Sequence, residues 1–155
     1  MKLNRLRVLL GLSQTLVAAI FGGVGVWQRS QILNQRLWGD QTLWNSTARF
    51  HVWPWPLKFA IITNLPAFFA GALLSAPIRL LWPKAPEAMD LAVLPLVFVL
   101  WYWVGVRLER KAHSKMFLAL FTAACIVGAF LPLGYVGYVP YGVTVWIVAA
   151  ILIRH

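Results

Sequence analysis

Five long apolar stretches fill most of this chain, and nearly every charged residue lies between them. The stretches cover residues 8–27, 59–78, 91–106, 117–133 and 139–153, and basic residues such as Lys58, Arg79 and Arg107 sit at their flanks. A bilayer core is about 30 Å thick and takes ~20 apolar helical residues to cross, with a working range of ~17–25. Within that core the backbone has to pair its own polar groups, which makes a single apolar stretch a helix. The pattern predicts an all-α fold: a multipass transmembrane helical bundle forming one integral membrane domain over residues 1–155, with spans at about 8–27, 57–81, 90–106, 116–133 and 138–153. The fifth span is short for a crossing, so four helices crossing the membrane, with a re-entrant arm, is the alternative to five.

Composition agrees with lipid as the solvent. Hydrophobic residues make up 61% of the chain and charged residues 12%, against about 45–50% and about 25% in soluble domains. A net charge of +10 would suggest nucleic acid in a soluble protein. Here the basic residues border apolar stretches, where they set topology and meet anionic headgroups. No stretch joins a basic face to a soluble fold, so nucleic acid is not an expected partner. Membrane lipids and other membrane protein subunits are, in a plasma (inner) membrane. The single cysteine, Cys125, lies inside an apolar stretch and has no internal disulfide partner. The basic start followed by an apolar stretch resembles a signal peptide, but 20 apolar residues exceed the usual ~7–15 of such a segment. A retained first helix is expected.

Polar and small residues inside the spans are the candidate functional positions. In the first span Ser13, Gln14 and Thr15 are adjacent, and Ala18/Gly22 and Ala19/Gly23 are small pairs four apart, the spacing that lets helices approach closely in lipid. An unpaired amide in hydrocarbon is costly, so Gln14 is expected to hydrogen-bond a neighbouring helix. In the second span Pro66 removes its own amide and frees the carbonyl of Ile62, which predicts a kink there, with Thr63 and Asn64 placed to satisfy the freed groups. Ala67, Gly71 and Ser75 form a row of small residues and the expected helix-packing face.

The connection over 28–56 is rich in tryptophan, with Trp38, Trp44, Trp53 and Trp55 expected as headgroup anchors. A short interfacial helix is expected to begin within 31–37, and Trp53-Pro54-Trp55-Pro56 forms an extended entry into the second span. Trp101-Tyr102-Trp103 suits a second interface. Pro132, Gly134, Gly137 and Pro140 mark a break between the last two helices. There, Val136-Gly137-Tyr138 matches the centre of the potassium-filter motif Thr-Val-Gly-Tyr-Gly, but Tyr135 and Val139 replace its ends.

The acidic residues do not form a site. Glu87 and Asp90 share a short turn, where Asp90 suits the start of the third helix as a cap. Glu109 and His113 are four apart, but no third ligand stands at a recognisable spacing. No catalytic, metal-binding or cofactor-binding pattern is present, so the chain is expected not to be an enzyme. The expected function is that of an accessory or structural subunit packed in the bilayer. The alternative is a small oligomeric transporter or channel for a neutral or apolar solute, lined by Gln14, Thr63, Asn64 and Thr122 and hinged at Pro66. Lipid, pigment or quinone binding through the tryptophans is a further reading.

Orientation is divided. With five spans, five basic residues fall on the amino-terminal side and nine on the other, which favours the amino terminus outside. The basic Met1–Arg7 start favours it inside.

Overall fold

The computed structural model describes residues 4–37, 54–81, 93–109, 114–131 and 135–154. All six elements within them are α-helices: α1 (Asn4–Leu37), α2 (Trp55–Thr63), α3 (Leu65–Leu81), α4 (Val93–Leu108), α5 (Ser114–Phe130) and α6 (Tyr135–Arg154). No strand occurs among the described residues. One helix is long and apolar enough to cross a membrane by itself, over Leu6–Gln28. α2 and α3 reach that length only when taken together, and the remaining apolar helices are shorter. The expected all-α class thus holds for the described residues, and of the expected spans one meets the crossing length alone and a second only as a bent pair.

α1 runs 34 residues without interruption, about 50 Å at 1.5 Å per residue. The separate interfacial helix expected within 31–37 is instead its continuation. Residues 28–37 hold no glycine or proline, so nothing in them ends a helix. Trp38, Trp44, Trp53, Glu87, Asp90, His113, Pro132 and Gly134 lie outside the described residues.

The single span expected over 57–81 is two helices, bent by 84° at Asn64. Pro54 is extended (φ −64°, ψ 148°) and Pro56 sits in the first turn of α2, where its missing amide breaks no bond. At the far end, Pro66 deprives the Ile62 carbonyl of its helical donor. Thr63 donates to the carbonyl of Phe59 at 2.7 Å, and the Asn64 amide donates to that of Ala60 at 2.9 Å. Side chains that bond their own backbone in this way compete with helix continuation.

Contacts between helices give their directions. Gly105 of α4 rests on the backbone of Arg7, and Gly11 faces Phe98, so α1 and α4 are antiparallel. Leu57 rests on Gly25, and Phe21 meets Trp55 and Phe59, so α2 enters beside the far half of α1. Trp55 stacks on Phe130 at the end of α5. α6 runs back along α5, with Tyr141 against Gly128 and Leu152 sharing a cavity wall with Phe117. Thus α1, α4, α5 and α6 alternate in direction. α2 reaches the bundle interior and stops, and α3 leaves with Gly71 against Val93, the first residue of α4. α2 and α3 thus form a bent pair rather than one straight span.

α6 begins at Tyr135, so Gly137 and Pro140 lie inside a helix rather than in the expected break. The hydroxyl of Thr144 donates to the Pro140 carbonyl at 2.9 Å. Among the described residues, no helix of this chain packs against the glycines of the small pairs Ala18/Gly22 and Ala19/Gly23. Ala18 is buried, but nothing stands within 4 Å of where a side chain would project from Gly22 or Gly23. Gly11, Ala18 and Gly25, seven residues apart, carry the close approaches of α1 instead.

Candidate functional site

The break at Asn64 is the polar centre of the bundle. Asn64 is fully buried, and its side-chain oxygen accepts from the Trp101 indole at 2.8 Å. The Ile62 carbonyl accepts from the Trp146 indole at 2.8 Å. Two tryptophans from two other helices therefore brace the two sides of one break. Their rings meet at 6.0 Å, and both pack edge-on against Phe121. The bulk of an indole fills the space that a broken helix leaves, while its N–H pairs the exposed polar group.

Beside this centre lies a cavity of about 450 Å³ between α1, α2, α4 and α5. Gln14, Thr63 and Thr122 supply polar groups to its wall, and Phe21, Trp55, Phe59, Trp101, Phe121 and Phe130 supply aromatic ones. None of the described residues that line it is charged. The Gln14 side-chain oxygen is buried and has no hydrogen-bond partner. The neighbouring-helix bond expected for Gln14 is corrected: this oxygen lacks one, and the residue faces the cavity. Ser13 and Thr15 satisfy their hydroxyls on the carbonyls of Leu10 and Gly11.

At the end of the bundle that holds Arg7, Glu109 accepts from the Arg7 backbone amide at 3.2 Å. Arg7 is among the first four residues of α1, whose amides have no partner within the helix. A carboxylate there also meets the positive end of the helix dipole. Arg7 lies over the Tyr102 ring and Arg107 over that of Trp103, at 5.6 and 5.4 Å.

The chain matches no protein-family model, no curated protein and no solved structure.

The sequence-derived candidates thus divide. Gln14, Thr63 and Thr122 line the cavity. Asn64 does not, because it turns to Trp101. Pro66 follows the bend directly. Ala67, Gly71 and Ser75 are buried, with Gly71 against Val93 and Leu96. Trp101 and Trp146 were not among the candidates. The signal for Trp146 was the carbonyl that Pro66 frees: a buried acceptor demands a donor, and an indole in a later apolar stretch can supply one.

Proposed function

We propose that the protein is a small, non-enzymatic multipass membrane protein that crosses the bilayer four times, by α1, α4, α5 and α6, with α2–α3 as a re-entrant pair. The observation that carries this is the distribution of apolar side chains. Leu9, Leu16, Leu73, Val99, Leu120 and Ile151 all face outward with at least half of their surface exposed, while Thr63, Asn64 and Ser75 are inside. Water would penalise that arrangement; lipid favours it.

Four crossings remove the conflict in orientation. Lys2, Arg5, Arg7, Arg107, Arg110, Lys111, Lys115 and Arg154 then share one side. Arg29, Arg36, Arg49, Lys58, Arg79 and Lys84 share the other, eight against six. The basic start and the larger basic count now agree on the amino terminus inside. The test is labelling of single cysteines placed at Lys58, Arg107 and Lys115 in a Cys125→Ala background, with a membrane-impermeant maleimide. Position 58 labels from the side opposite to 107 and 115; labelling of all three from one side restores five crossings.

Within that class the reading is an accessory or structural subunit of a larger membrane assembly. Ala19 and Gly23 support it, since they form an exposed small-residue pair on α1 with open space around the glycine. Such pairs let a second helix approach closely. Native mass spectrometry after gentle extraction should show reproducible partner subunits, and Gly23→Leu should release them without changing thermal unfolding. A clean monomer would refute the reading.

The cavity favours a second reading, a small carrier or channel for a neutral solute. Gln14→Ala that leaves flux in liposomes unchanged would rule it out.

A further inference from the structure

The cavity has three properties that define what fits it. It is neutral, because none of the described residues in its walls has an ionisable side chain. It is flat-walled and aromatic, with Trp55 and Phe130 stacked at 5.4 Å and Phe21 edge-on to Trp55 at 5.6 Å. It also holds one buried polar atom without a partner, the Gln14 oxygen, the only such side-chain nitrogen or oxygen among the described residues. The hydroxyl of Thr63 is already committed to Phe59, and the indole of Trp101 to Asn64. A volume of about 450 Å³ falls within the ~300–1,000 Å³ of small-molecule sites.

The cavity has a mouth. α1 supplies Gln14, Val17 and Phe21, and α5 supplies Leu118, Thr122, Ile126 and Phe130. Thr122, Ile126 and Phe130 are four residues apart, on one exposed face of α5. The way in therefore runs between two helices whose outer surfaces are apolar, and a ligand arriving there comes from the hydrocarbon.

We propose that this cavity binds a neutral aromatic amphiphile carrying a hydroxyl group, of the phenol or quinol class, which enters laterally from the bilayer and donates its hydroxyl hydrogen to Gln14. The aromatic walls take the flat ring edge-on or in offset stacking. The hydroxyl supplies the donor that the buried acceptor lacks. The site uses the same cavity as the carrier reading but does not depend on movement of a solute. Binding without flux would eliminate the carrier alone.

The experiment is titration of the full-length protein in lipid nanodiscs with 1-naphthol and with naphthalene. The signal is quenching of tryptophan emission, to which Trp55 and Trp101 report from the cavity wall, with empty nanodiscs correcting for partition. Naphthol should bind saturably and about tenfold more tightly to the wild type than to Gln14→Leu, whereas naphthalene should not distinguish them. Thr122→Trp, an exposed position at the mouth, should abolish binding of both without lowering the unfolding temperature. Equal naphthol affinity in wild type and Gln14→Leu, or saturable binding that persists in Thr122→Trp, would overturn the proposal. So would the absence of binding to folded wild-type protein.

Discussion

The indole of Trp146 donates a hydrogen bond of 2.8 Å to the carbonyl of Ile62, the acceptor that Pro66 leaves without a helical amide. The proline opens a polar gap in one helix, and the last helix of the chain closes it. The same logic holds at Asn64, whose side-chain oxygen is taken by Trp101. A sharp bend inside an apolar bundle is stable here because the Ile62 carbonyl and the Asn64 side-chain oxygen each have an indole donor.

Trp146→Phe keeps a ring against Phe121 but removes the donor. An unpaired buried acceptor costs about 1–3 kcal/mol, and thermal unfolding in detergent should show a loss of that size. Pro66→Ala restores an amide that can reach Ile62. The double variant should therefore lose less than the sum of the two single losses, and a simple sum would break the link between proline and indole.

Asn64→Leu and Trp101→Phe remove the two ends of one hydrogen bond. Each should destabilise by about 1–3 kcal/mol, with a coupling of about 1 kcal/mol in the double-mutant cycle, as expected for residues in direct contact. Independent losses would mean that the bond contributes nothing to the fold.

Glycines on one pattern should divide by position. A side-chain carbon at Gly105 would lie 2.6 Å from the Arg7 backbone, whereas at Gly23 it would meet nothing within 4 Å. Gly105→Ala should force α1 from α4 and destabilise by about 1–3 kcal/mol. Gly23→Ala should be neutral, or stabilise by up to ~1 kcal/mol through helix propensity. Comparison of their unfolding midpoints checks both; a matching loss at both sites would contradict the packing.

Cys125 is fully buried. A membrane-permeant maleimide should leave it unmodified in the folded protein and label it completely after denaturation, as read by intact mass. Labelling before unfolding would show that α5 parts from its neighbours.

Much of this was legible in residue order, for identifiable reasons. Apolar stretches of 15 residues or more have little choice but helix once their length exceeds that of a strand. Pro66 announced a disruption because its chemistry is local. What remained hidden depends on which surfaces meet. Trp101 resembles its neighbour Trp103 in sequence, yet it is 1% exposed while Trp103 is 47% exposed. Gly22 and Gly25 are equally small, but only Gly25 meets another backbone. The size of the bend was also hidden. A proline removes one bond, and the 84° turn needs that loss together with the side-chain bonds of Thr63 and Asn64 and two indoles supplied from elsewhere in the chain.

The bracing of the break also orders the protein's biogenesis. Acceptor and donor at Ile62 and Trp146 stand 84 residues apart, and the donor belongs to α6, which follows the other five described helices in chain order. Until that helix packs, the Ile62 carbonyl lacks its indole donor. A chain truncated before α6 would lack that donor permanently, so the break between α2 and α3 is completed only by a helix that follows it far along the sequence.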